Sequence, residues 1–299
     1  MIASALGLVL VLLLAGVIAA RCGFTNDAGI DALNGYVVYV CIPALVLSLV
    51  PKLEMRRELL VLVAVPWVLL VVAVVAVLVA SRILRLARET TGALLLCLPL
   101  GNTSFLGYPM VGALLGEPAV RLAVIYDQLG SFLILATWGA LVASSYGAGR
   151  GFSWRGALRR ILLFPPLLAL VAALLPWHLP PWTEPILKRI GDSLVPVAMF
   201  TVGLKLKLRI TRRDMGAAAI GLAFKMGVMP LLAIKLARGL GAPPDVVAVA
   251  TLESAMPPMI TAGALAMGAE LRPHLVATLV GYGILLAMVT LPLWSLVVR

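Results

Sequence analysis

Apolar runs of about 20 residues, several without a single charge, recur along this chain, and each is long enough to cross a hydrocarbon layer of about 30 Å. With 62% of its 299 residues hydrophobic, 12% charged and a mean hydropathy of +1.09, the chain carries more apolar surface than one soluble core buries. Lipid is therefore the expected solvent. Runs separated by charged or Pro/Gly-rich breaks predict ten spans, at 2–20, 32–50, 59–81, 91–116, 119–145, 157–176, 185–204, 213–238, 246–268 and 274–298. The connectors, such as 51–57 and 205–213, leave no room for a soluble domain, so 1–299 is read as one membrane unit. The first run has no cationic leader and is taken as a span, not a secretion signal.

A net charge of +11 raises the question of nucleic acid, but the Lys and Arg residues sit in short connectors, without aromatic interleaving or zinc spacing. Anionic lipid headgroups are the simpler partner. Connectors after the odd-numbered spans, with the span ends that flank them, hold 14 Lys/Arg, against 9 on the other face, which puts both termini outside the cytoplasm. The run Lys205, Lys207, Arg209, Arg212, Arg213 reads as a cytoplasmic anchor. Cys22, Cys41 and Cys97 are widely separated and specify neither a disulfide framework nor a metal site. Trp67, Trp138, Trp177, Trp182 and Trp294 read as interfacial or packing aromatics, while His178 and His274 fall at span ends. Gly112 and Gly116 have the small-xxx-small spacing of close helix packing.

Helix-breaking residues recur at a nearly constant offset. Pro43 in the second span and Pro196 in the seventh are 153 residues apart; Pro109 in the fourth and Pro258 in the ninth are 149 apart. A repeat with an odd number of spans must be inverted. The fold expected is thus an all-α integral membrane protein of ten transmembrane helices, built from inverted five-helix repeats over 1–146 and 156–299. The fourth span, TGALLLCLPLGNTSFLGYPMVGALLG, puts two Gly, a Pro and three small polar residues at mid-membrane depth. The ninth, TLESAMPPMITAGALAMG, loses two backbone donors at Pro257 and Pro258, flanked by Glu253, Ser254 and Thr261. Non-helical backbone is tolerated at that depth only where protein or a water-filled cavity satisfies it. Interrupted spans at matching positions of two halves point to a transport site. Opposed half-helix N-termini suit an anion, and unwound carbonyls, Asn102 and Glu253 suit a coupling cation. The plainer alternative is two kinked structural helices.

On GNTSFLGYPM, ESAMPPMITAGALA and DSLVPVAMFTVGLKL, the chain resembles the auxin efflux carrier family in its compact bacterial branch, which shares an architecture with bile-acid/sodium symporters. The resemblance runs in span order over nearly the whole chain. It implies broken crossover helices four and nine, a scaffold and a transport domain, a small organic anion as substrate, and a homodimer. Where plant auxin exporters carry Asn-Pro-Asn-Thr-Tyr at the fourth-span break, this chain has Gly101-Asn102-Thr103-Ser104-Phe105, so the substrate class is left as a carboxylate or auxin-like anion.

Charges inside the spans each need a reason, because an ionisable group at a span centre costs about 2.5–3.5 kcal/mol on insertion scales. Lys235 can snorkel. Asp127, Lys225 and Glu253 are the candidate coupling-ion or proton residues; alternatively, Lys225 pairs with Asp127 or Glu253 to neutralise both. Asp127, eight residues into its span, is within reach of an interface. The substrate-binding candidates are Asn102, Thr103, Ser104, Tyr108, Pro109, Gln128, Pro257, Pro258 and Thr261. The function expected is secondary transport with no cofactor beyond a coupling proton or sodium. No nucleotide-binding loop and no intramembrane protease motif is present. A sodium-coupled bile-acid-type symporter and a non-transporting membrane sensor are the alternatives.

Overall fold

A computed structural model of the chain describes residues 2–54, 56–147, 153–175, 180–206 and 212–298, and among them every regular element is a helix. Trp177, His178, Lys207, Arg209 and Arg299 lie outside the described residues, as do the side chains of Arg212 and Arg213. The long helices α1 (Ile2–Arg21), α2 (Asp27–Lys52) and α3 (Leu59–Ile83) lead to the short α4 (Arg88–Cys97) and α5 (Thr103–Leu115), then to the long α6 (Glu117–Tyr146). Four short helices follow: α7 (Trp154–Leu162), α8 (Pro165–Leu174), α9 (Thr183–Asp192) and α10 (Leu194–Lys205). The chain ends with α11 (Asp214–Gly239), α12 (Pro244–Ser254), α13 (Ile260–Gly268) and α14 (Pro273–Val297).

Among the described residues, six of these helices, α1, α2, α3, α6, α11 and α14, are long and apolar enough to cross a membrane. The α3 helix shows why lipid is the solvent. Its Leu62, Val65, Leu69 and Ala73 are buried, yet the opposite face offers Leu60, Val68, Val71 and Val75, all exposed and just as apolar. The four other expected spans are each made of two shorter helices. In the sixth, Pro165 and Pro166 withhold backbone donors, so α7 stops at Leu162 and α8 starts afresh. The α7 helix, with exposed Arg155 and Arg159, is amphipathic rather than the beginning of an apolar span.

The chain forms two compact units. The first comprises Met1–Arg56, Ser104–Val124 and Arg159–Leu206; the second comprises Arg57–Thr103, Ile125–Leu158 and Lys207–Arg299. Within the first, the α1 and α10 backbones touch. A Cβ on Gly16 would lie 2.1 Å from the Phe200 carbonyl oxygen, and one on Gly203 would lie 2.2 Å from that of Leu13. Gly112 and Gly116 play no such part, contrary to their spacing. A Cβ on Gly112 would meet only the tip of Val120 at 3.3 Å, and Gly116, with φ at +94°, is the turn that ends α5.

Within the second unit, Leu70, Leu100, Ile134, Met259 and Ala262 form a buried cluster. The α3 and α6 helices meet where Gly130 faces Pro66, with only 2.3 Å between a hypothetical Cβ and the proline Cγ. Three wide π turns interrupt long helices here: Asp127–Phe132 and Leu135–Gly139 in α6, and Phe224–Val228 in α11. The first and the third each receive an indole N–H, from Trp67 to the Leu129 carbonyl at 3.0 Å and from Trp294 to that of Met226 at 2.8 Å. Trp138 likewise donates to the Leu95 carbonyl at 3.0 Å. These three tryptophans therefore tie helices together within the unit.

Candidate functional site

The α4 helix ends at Cys97 and α5 begins at Thr103, while α12 ends at Ser254 and α13 begins at Ile260. The two unwound stretches lie against each other, and Gly101 and Pro258 form an isolated antiparallel bridge. The Asn102 N–H donates to the Pro257 carbonyl at 2.8 Å, and the Met259 N–H to the Leu100 carbonyl at 2.9 Å. Each break thus satisfies backbone groups of the other, as non-helical backbone at membrane depth requires. Pro258 carries no N–H but needs none here, because both bonds come from flanking residues. On their other side the prolines press on α14, where a Cβ on Gly283 would come within 2.9 Å of Pro258 and 3.0 Å of Pro257.

Buried side chains converge on this bridge. Asn102, Thr103, Asp127, Gln128, Lys225 and Glu253 are each no more than 2% exposed. Asp127 is enclosed by protein, with 1% of its surface exposed. Thr103 donates its hydroxyl to one Asp127 carboxylate oxygen, and the Gln128 amide donates to the other at 2.8 Å. The π turn that starts at Asp127 carries these side chains inward. From the Phe224–Val228 π turn, the Lys225 ammonium donates to the Ser254 carbonyl at 3.0 Å, the closing turn of α12, rather than to a Glu253 carboxylate oxygen. Both carboxylate oxygens of Glu253 and the side-chain amide nitrogen of Asn102 are buried with no hydrogen-bond partner among the described residues. Buried polar atoms are seldom left so.

Of the residues singled out from sequence, then, Asn102, Thr103, Asp127, Gln128, Lys225, Glu253, Pro257 and Pro258 come together in one unit. Ser104, Tyr108 and Pro109 belong to the other unit, where Tyr108 and Pro109 line a separate cleft of about 560 Å³ with Pro196 and Lys188. Thr261 is exposed on the first turn of α13. His274 is exposed at the start of α14 and Lys235 is exposed on α11. Two contributors have no side-chain chemistry to reveal them: the Ser254 carbonyl, and Gly101, whose missing Cβ admits the Lys225 ammonium, which would lie 3.2 Å from it.

The cluster offers two carboxyl groups, one ammonium and one unengaged amide nitrogen, buried at the meeting point of two broken helices. Comparison with known proteins agrees with a transport role. The chain is similar over 97% of its length to an uncharacterized transporter of Methanothermobacter thermautotrophicus, at 28% identity across 96% of that protein. It is similar over 96% of its length to an uncharacterized transporter of Methanocaldococcus jannaschii, at 26% identity and also 96% coverage. The family described as membrane transport protein matches residues 1–151 and 149–295, nearly the whole sequence, and this chain therefore belongs to that family of auxin efflux carrier-type transporters.

Proposed function

We propose that this chain is a secondary transporter that carries a small organic anion, a carboxylate or auxin-like molecule, across the cytoplasmic membrane by alternating access. Its architecture in this reading is ten spans in two inverted five-helix repeats, over 1–146 and 156–299, with both termini outside. The observation that carries the proposal is the group of unsatisfied atoms at the paired breaks, where Asn102 offers a donor and Glu253 two acceptors at full burial. Leaving a buried polar group unmade costs about 1–3 kcal/mol, which a purely structural crossing has no reason to sustain. A ligand that fills those valences during part of a cycle supplies the reason.

In this reading Asn102, Thr103 and Gln128 receive the anion, beside Pro257 and Pro258, and Glu253 or Asp127 holds the coupling proton or sodium. The groups that act electrostatically on Glu253 are Asp127 and Lys225, and Tyr126 lies within its field. With both carboxyls ionised the cluster carries one net negative charge, so one proton or one monovalent cation neutralises it. Burial favours the neutral cluster strongly. A thermal-shift screen of the purified protein against small carboxylates, with pH and sodium varied, selects the substrate. Counterflow of that substrate in liposomes is the expected result. Stabilisation by a carboxylate without counterflow would instead identify a membrane sensor.

A further inference from the structure

Lys225 directs its ammonium at a backbone carbonyl, with both Glu253 carboxylate oxygens left unengaged among the described residues. We propose that its ammonium is a tethered cation, taking the position of one monovalent ion at the paired breaks, so that the cycle exchanges a proton and has no need of sodium. The assignment rests on reading the breaks as the transport site.

The geometry supports a cation substitute in three ways. First, the Lys225 ammonium donates to the Ser254 carbonyl at 3.0 Å, and Ser254 closes α12, the end at which a helix exposes carbonyl oxygens and partial negative charge. Unwound carbonyls and half-helix C-termini are what coordinate sodium in transporters with broken helices. Second, the neighbourhood is built around the ammonium. A Cβ on Gly101 would lie 3.2 Å from the Lys225 nitrogen, 3.3 Å from the Glu253 carbonyl oxygen and 3.3 Å from the Met256 Cβ. The bare glycine backbone thus leaves room for a compact charge beside the carbonyls, and a lysine ammonium is such a charge, with three donors. Third, the reach is fixed. Lys225 leaves a π turn whose Met226 carbonyl is held by the Trp294 indole at 2.8 Å. Charge completes the case: with Asp127 and Glu253 ionised the cluster holds two negative charges, the Lys225 ammonium offsets one, and one is left for an exchangeable proton.

The test measures thermal unfolding of the purified full chain in sodium chloride against choline chloride at equal ionic strength, for the wild type and for Lys225→Gln. The wild type is expected to unfold at the same temperature in both salts. Lys225→Gln, deprived of its built-in cation, is expected to gain a sodium-specific stabilisation of several degrees, or to be recovered as monodisperse protein in sodium only. A sodium-specific shift in the wild type overturns the proposal, as does a variant equally stable in both salts or recovered in neither. The readout needs no substrate. A sodium-indifferent wild type without carboxylate counterflow would defeat the transporter reading and leave the tethered cation standing; a sodium-stabilised wild type with counterflow would do the reverse.

Discussion

Glu253 holds two acceptor oxygens that nothing among the described residues satisfies, one residue away from the carbonyl that Lys225 does satisfy. A carboxyl in that position responds to its surroundings through charge alone, which makes Glu253→Gln the cleanest single change: shape stays, and the exchangeable charge goes. If Glu253 carries the proton, the variant is expected to lose coupled uptake by about tenfold or more, equivalent to roughly 1.4 kcal/mol, and its residual counterflow should be flat with pH. Wild-type rate with an unchanged pH profile in liposomes would remove Glu253 from the role and leave Asp127. The intramembrane charges were legible in the sequence because each violates the hydrocarbon rule by itself. The groups that complete the cluster were not. Gly101 contributes space and Ser254 a backbone carbonyl, neither of which has a side chain to mark it.

At the scale of elements, composition revealed breaks more readily than contacts. The pairing of 100–102 with 257–259 follows from two interrupted spans that need partners for the same unwound backbone. The tight crossing of α1 with α10 has no such signature, since Gly16 and Gly203 stand one on each helix and no periodicity within a helix connects them. Gly112 and Gly116 have the expected spacing but serve a turn. Alanine separates the two cases by sign. Gly16→Ala should lower the thermal midpoint, costing about 1–3 kcal/mol, because the new methyl meets a backbone carbonyl that cannot rotate away. Gly112→Ala meets only a mobile valine methyl and gains helix propensity, so it should be neutral or stabilising by up to about 1 kcal/mol. Equal effects in thermal melts of the purified variants would mean that α1 and α10 do not approach at these glycines. The Trp67 and Trp294 indoles belong to the same lesson. Sequence identifies a tryptophan as an anchor, but a π-turn carbonyl as its acceptor emerges only once the helix has widened.

For the whole molecule, the proposed orientation rests on charge: the connectors after odd-numbered spans, with the span ends that flank them, hold 14 Lys/Arg against 9 on the opposite face. The chain carries its own probe of that assignment. Cys22, just beyond α1, is exposed, whereas Cys41 and Cys97 are buried, so an added maleimide has one thiol to find. With both termini outside, Cys22 faces the cytoplasm. A membrane-impermeant maleimide should then leave the protein unlabelled in intact cells and label it in inside-out vesicles, with Cys22→Ser unlabelled in both. Labelling of Cys22 from outside would reverse every inner and outer assignment. The exposed Arg57 follows α2, so Arg57→Cys in the Cys22→Ser background should show the opposite pattern. A single crossing by α2 obliges the two thiols to report opposite sides. If both report the same side, α2 does not cross, the count of ten fails, and with it fails the parity that requires the two five-helix halves to be inverted.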